Sequence, residues 1–410
     1  MQDALAPRIS LNSTLRLHPL SRQVENGVAI VGRNGQFLEL PPEGLQFLDW
    51  LNEGLTLDGA RKKFEEAFTP FPDEDLFDFT TAFLECDFVA AVDGVPLAAT
   101  RKPPKADTNL VPQALAQKIF SKPILIFWMV YTIPAAALWI SHPVLWPRRA
   151  DYFWSPYYSL IILVGMLLWL GGMALHETAH FLAARAKGID ATVTWTYRLG
   201  FFPMSQTVMH NIWAIPRTAR FLPLAAGLAW DVFVISSMVY TLYAVQMGVL
   251  VLPIVVVSII KFYLLVLTMG VTSQFWLFSR MDGYYLLSAI FGQRNLQADT
   301  FTWLRSLVDR RVKFTPPAGG MKYIYLYALI AIGWGGAFMI QFLTINLPVK
   351  IQLVWHSWLK VINGANIPAI DFADGLGVFV GQVLYWGLLL YAHVREAIPK
   401  LTYGHVTPKP

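Results

Sequence analysis

The sequence predicts a polytopic α-helical membrane protein with about six transmembrane helices, preceded by a small α+β, winged-helix-like domain. Three observations predict it. Of 410 residues 55% are hydrophobic and only 14% charged, which is poor in charge for a water-soluble chain of this length. Six apolar stretches are each long enough to cross about 30 Å of hydrocarbon at about 1.5 Å per residue. Charges are mixed with short apolar runs up to Gly94, whereas long, nearly uncharged stretches begin only at Ser121. The same composition excludes other classes. A net charge of +5 is too mild and dispersed for a nucleic-acid-binding surface, and the single Cys86 rules out an intramolecular disulfide framework. The opening MQDALAPRIS lacks the charged and apolar regions of a cleavable signal peptide, so membrane insertion is expected from internal segments.

Residues 1–97 read as a soluble head. Leu15-Arg16-Leu17-His18, Val28–Gly32 and Gln36–Leu40 have the composition of short strands, the last two joined at Asn34-Gly35, a strong tight-hairpin signal. Pro41-Pro42-Glu43 opens a helix with Leu45, Leu48 and Leu51 at helical spacing. A second helix is expected from a cap at Asp58, burying Ala60, Phe64 and Phe68. A third begins in the acidic run Pro72-Asp73-Glu74-Asp75, where carboxylates suit a helix N-terminus, and turns Leu76, Phe79, Phe83 and Leu84 inward. Residues 98–120 contain ATRKPPKADTNLVPQ, whose adjacent prolines and scattered cations predict an extended tether.

The membrane body is expected over residues 121–397, with spans near 121–141, 157–185, 221–246, 250–278, 323–346 and 375–394, and a tail from 398 to 410. With the head placed in the cytoplasm, fifteen Lys and Arg of the body and tail fall inside and four outside, namely Arg148, Arg149, Lys350 and Lys360. That bias supports a multi-pass cell-membrane protein with head and C-terminus cytoplasmic.

One stretch carries chemistry. In LLWLGGMALHETAHFLAARA, His176-Glu177-Thr178-Ala179-His180 interrupts a strongly apolar helix. Histidines at i and i+4 share one face, so both imidazoles can reach one Zn2+ while Glu177 addresses its water. The competing reading, polar residues packed against neighbouring helices, must account for three ionisable groups in one turn of a membrane helix. Tetrahedral zinc needs a third protein ligand, and Asp282 in SRMDGYYLL is the candidate. Along a straight fourth helix from Leu250 it would lie roughly 48 Å away, too far for the membrane core, unless the span tilts or breaks near Gly270-Val271-Thr272-Ser273. Otherwise Asp282-Gly283 is an exposed turn.

HETAH in a membrane helix, followed by Asp282-Gly283-Tyr284-Tyr285, resembles the site-2 type of intramembrane zinc metalloprotease, especially the bacterial peptide zinc metalloproteases. The resemblance implies His176, His180 and Asp282 as zinc ligands, Glu177 as general base, and a bacterial inner membrane as location. Arg220-Phe221-Leu222-Pro223-Leu224-Ala225-Ala226-Gly227 is similar to that family's next core helix. Leu228 stands where a Pro often follows the Gly, and the Asn and Pro often found before the Asp-Gly motif are absent from Gln274 to Arg280.

The head, from Leu15 to Gly94, resembles the PqqD-like domains that bind leader sequences of ribosomally made, modified peptides. The resemblance implies strand addition at Gln36, Phe37, Leu38, Glu39 and Leu40, with Phe79 and Phe83 of the third helix nearby. For these two phenylalanines the residues themselves favour a place in the head's own core. Together the two resemblances imply an intramembrane zinc metalloprotease that matures or trims a peptide recruited by the head, alongside peptide-maturation or export partners and without nucleic acid. Two other classes remain: an inactive membrane scaffold or immunity component that binds such a peptide, and a metal transporter. Among other polar residues, Asp231 and Lys261 either assist the site or pair with each other. His210 reads as a surface residue, His356 as a loop residue and His393 as a helix-end residue. Gly333-Trp334-Gly335-Gly336 reads as close helix packing.

Overall fold

Two three-stranded sheets and three helices make up the head in the computed structural model, which describes residues 9–25, 27–34, 36–97, 110–198, 202–210, 212–316 and 320–402. Leu15–Leu17 (β1), Ser21–Glu25 (β2), Val28–Arg33 (β3) and Gln36–Leu40 (β4) precede Gly44–Asn52 (α1), Leu57–Ala67 (α2) and Asp73–Glu85 (α3); Val89–Val92 (β5) and Val95–Pro96 (β6) follow. The antiparallel sheets have the orders β1-β5-β6 and β2-β3-β4. Alternation along β3 decides what each sheet face covers. Ala29 and Val31 join Leu40, Phe47, Leu48 and Leu76 in the head's core, while Ile30 points the other way. Asn34 takes the positive φ that the expected hairpin requires, and Asp93-Gly94 makes the same kind of turn between β5 and β6. The cap of α2 is Thr56, not Asp58: its Oγ1 accepts from the Gly59 amide at 3.1 Å, whereas Asp58 sits in the first turn and pairs with Arg61 and Lys62. Phe68, expected inside, follows the end of α2 and is exposed.

The body comprises Gln113–Ile119 (α4), Lys122–Ser141 (α5), Tyr158–Ala186 (α6), Ala191–Arg198 (β7), Phe202–Met209 (β8), Arg217–Gln246 (α7), Ile254–Gln274 (α8), Asp282–Phe291 (α9), Leu296–Val308 (α10), Met321–Gln341 (α11), Leu347–Ile362 (α12) and Ala369–Thr402 (α13). Among the described residues six helical stretches are long and apolar enough to cross a membrane, the number expected, so the chain has the form of a multi-pass helical membrane protein.

Four features depart from the sequence expectations. The second half of the expected tether is ordered: α4 packs on the end of α6, where Arg185 Nε donates to the Val111 carbonyl at 3.0 Å. Residues 98–109 of the tether and 403–410 of the tail lie outside the described residues, and 398–402 belong to α13. The segment between α6 and α7 is not a plain loop but the hairpin β7–β8, eight residue pairs long. Residues 347–362 are likewise not a loop. Helix α11 continues into α12 through a π-helical turn at Phe342–Asn346, so Lys350, His356 and Lys360 all stand on a helix. Finally, α8 stops at Gln274, and a short 3-10 turn with Arg280 at φ 51° reverses the chain into α9.

Nor does the head hang free. The outward face of β2-β3-β4 lies against the turn Ile212–Ala214 and the connection between α9 and α10. Ile30, only 5% exposed yet absent from the head's core, is covered there.

Candidate metal centre

Helical geometry puts His176 and His180 one turn apart on α6, and their Nε2 atoms lie 3.1 Å from each other. Asp282 Oδ2 is 2.9 Å from the first and 3.1 Å from the second. Two ligands at about 2.0 Å from one tetrahedral ion are separated by about 3.3 Å, so these three edges fit a single small cation. The three side chains form a group able to hold a metal ion.

Asp282 reaches the histidines because α8 ends early. Gly283 fits against the end of that helix, where a Cβ would come 2.8 Å from the Gln274 carbonyl oxygen. The break falls a few residues beyond the Gly270–Ser273 stretch expected to yield. It removes the depth conflict, since Asp282 opens a new helix beside the first instead of extending it. At the first position of α9 its carboxylate also sits in the positive field of the helix N-terminus.

The outer nitrogens of both rings are engaged. His176 Nδ1 donates to Asp231 Oδ2 at 2.8 Å, and His180 Nδ1 donates to the Pro223 carbonyl at 2.7 Å. Protonation at Nδ1 leaves both Nε2 lone pairs facing Asp282, the tautomer that metal ligation requires. Both partners come from α7, and so does Gly227, where a Cβ would fall on the two Nε2 atoms. Only a glycine lets α7 pass this close to the ring nitrogens.

Glu177 is placed by the hairpin. The Thr207 amide and Oγ1 donate to its Oε2 at 2.7 and 2.6 Å. His176, Glu177 and Asp231 share a largely apolar cavity of about 450 Å³, walled also by Trp169, Tyr263 and Tyr385. Such a site restricts water and strengthens every charge interaction within it.

Of the two open readings for Asp231, the structure gives the first: it orients His176, and no ion pair joins it to Lys261, which is exposed. His210 bonds Thr192 Oγ1 at 2.9 Å and is not part of the ligand group. His356 stacks on Tyr158. His393 falls within α13. In Gly333-Trp334-Gly335-Gly336, only Gly335 has a close neighbour, Phe278, and Trp334 Nε1 bonds the Thr272 carbonyl at 3.0 Å.

In the head, Gln36–Leu40 is an edge strand, paired among the described residues only with β3. Leu38 and Leu40 face the core, while Phe37 and Glu39 meet Arg294 of the body. Phe83 is fully buried and stacks on Phe79 at 4.3 Å, so both fill the head's core, as the residues favoured.

Thr207 was not anticipated, although the alternation Thr192-Val193-Thr194-Trp195-Thr196-Tyr197 is a strand signal from which the hairpin could be read. No family model, curated protein or solved structure matches this chain.

Proposed function

We propose that this chain is a zinc-dependent intramembrane endopeptidase of the site-2 type. Its substrate is a peptide, and its head recruits the leader of a ribosomally made, modified precursor. One observation carries the reading: His176 Nε2, His180 Nε2 and Asp282 Oδ2 converge within 3.1 Å of one another, and Glu177 lines one cavity with His176. Three protein ligands with a carboxylate alongside are the donor set of a hydrolytic zinc site, not of a closed structural one.

His176, His180 and Asp282 would hold the zinc, which would supply Lewis acidity towards the scissile carbonyl and the attacking water. Glu177, whose Oε2 is fixed by Thr207, would take the proton from the attacking water and pass it to the leaving amine. Asp231 and the Pro223 carbonyl keep both imidazoles in the ligating tautomer throughout. The apolar walls admit a peptide only as an extended or locally unwound segment. The excess of Lys and Arg in the segments facing the head supports a cytoplasmic head and C-terminus.

The test has two parts on detergent-purified full-length protein. Zinc per chain is measured in wild type, His180→Ala and Asp282→Ala, with about one ion expected in the first and none in the others. Cleavage of a fluorogenic peptide library is then compared between wild type and Glu177→Gln, which is expected to keep its zinc and lose cleavage. Wild type that takes up no zinc overturns the metal reading. Undiminished cleavage by Glu177→Gln overturns the mechanism. Zinc without any cleavage moves the reading to a peptide-binding scaffold.

A further inference from the structure

Three arginines of the body converge on two carboxylates of the head. Arg220, on the first turn of α7, is 1% exposed, and its guanidinium donates to the carbonyls of Ile215 and Trp213 at 3.0 and 2.9 Å. It lies over the Trp213 ring at 5.2 Å, and its charged partner is Glu25 Oε2 of β2, at 2.8 Å. Arg217 lies one turn earlier, with Nε 3.9 Å from Glu25 Oε1, and donates to the Ala289 carbonyl near the end of α9 at 2.8 Å. Arg294, just beyond α9, pairs with Glu39 of β4.

These arginines stand on the elements that build the metal centre. Helix α7 supplies the Pro223 carbonyl, Gly227 and Asp231; α9 begins with Asp282. With the head docked but Glu25 and Glu39 neutralised, three like charges would be left clustered where α7 meets the end of α9. One of them is the Arg220 guanidinium, buried under the docked head, and a buried charge stripped of its partner is strongly unfavourable. Relief comes from lifting the head and letting α7 and α9 part, and that motion carries Asp282 away from the histidines.

We infer that the docked head is an electrostatic clamp: through Glu25 and Glu39 it holds α7 against α9 and thereby positions the third metal ligand. The inference rests on the metal reading above, and it gives the head a role besides peptide recruitment. Glu25 and Glu39 are positioning residues, remote from the reacting atoms.

The experiment uses full-length Glu25→Gln/Glu39→Gln, which keeps side-chain shape and leaves the head's core untouched. Zinc affinity is read by chelator competition, and docking by hydrogen exchange of residues 212–216. The clamp predicts faster exchange in that segment together with a zinc affinity at least about tenfold weaker, the scale seen when the outer partners of metal ligands are lost. Faster exchange with unchanged affinity overturns it, and so does unchanged exchange. Should the double variant fail to fold, the single variants Glu25→Gln and Glu39→Gln apply the same test one carboxylate at a time. Wild type without zinc would instead be a failure of the metal reading, and is distinguishable because it appears before any head variant is made.

Discussion

His176 Nδ1 and Asp231 Oδ2 lie 2.8 Å apart, both side chains buried, on two different long helices. The contact fixes both the tautomer and the rotation of the ring. Asp231→Ala is therefore expected to weaken zinc binding roughly 10- to 100-fold with all three ligands intact. Asp231→Asn, which keeps an acceptor oxygen, should lose much less. Equal losses in chelator competition would show that charge, not orientation, is the contribution of Asp231.

Gly227→Ala is a sharper probe, because its added methyl would occupy the space between the two Nε2 atoms. Zinc binding should be abolished. Gly171→Ala on α6, where nothing lies within 4 Å of the new Cβ, should bind zinc as wild type does. A Gly227→Ala protein with a normal zinc content would mean that α7 does not pass beside the ligands.

At the other end of α6, Asp374 accepts from the amides of Tyr158 and Ser159 at 3.0 and 2.8 Å and from Lys360 Nζ at 2.8 Å. One carboxylate thus caps the helix and neutralises a lysine. Asp374→Ala should cost about 1–2 kcal/mol, the loss of a cap, because Lys360 keeps the Pro156 carbonyl at 2.7 Å and Asp371 at 3.7 Å. A lowered melting temperature in detergent, with zinc still bound at 4 °C to about one ion per chain, is the expected result.

In the head, the Thr14 amide and a Ser13 side-chain hydrogen bond hold the Asp93 carboxyl below its ordinary value of 3.8. The sign follows from linkage: a depressed carboxyl pKa stabilises the fold fully above the ordinary value, and that contribution disappears as pH falls through the folded value. Asp93→Asn should therefore reduce hydrogen-exchange protection of the Thr14 amide near pH 6. As pH falls below the folded value, the variant and wild type should converge.

What could be read in the sequence was local. The i, i+4 histidines, the Asn34-Gly35 hairpin and the six apolar stretches are signals of neighbouring residues, and all were found, although the fourth stretch ends early at Gln274 and the fifth runs on through a π-helical turn into α12. Asp282 was legible as a ligand candidate, but not the route by which it arrives. No Pro or Gly marks residues 274–282, so the end of α8 depends on Arg280 entering the left-handed region and on Gly283 packing against Gln274. Asp231 was legible only as a polar residue in a span, since its sequence neighbours do not say which of two helices it faces. Least legible was the docking of the head. Glu25 and Glu39 look like solvated strand charges, and Arg217, Arg220 and Arg294 like parts of basic cytoplasmic segments, until folding brings together residues 195 and 255 positions apart.

The capping of α6 by Asp374 has a mechanical side. The same helix is tied at its far end, through Arg185 to the Val111 carbonyl, so it is a post fastened at top and bottom. On the proposed function, a peptide would meet a fixed wall on this side, and the β7–β8 hairpin, at Ser205, and the Tyr385 turn of α13 on the others.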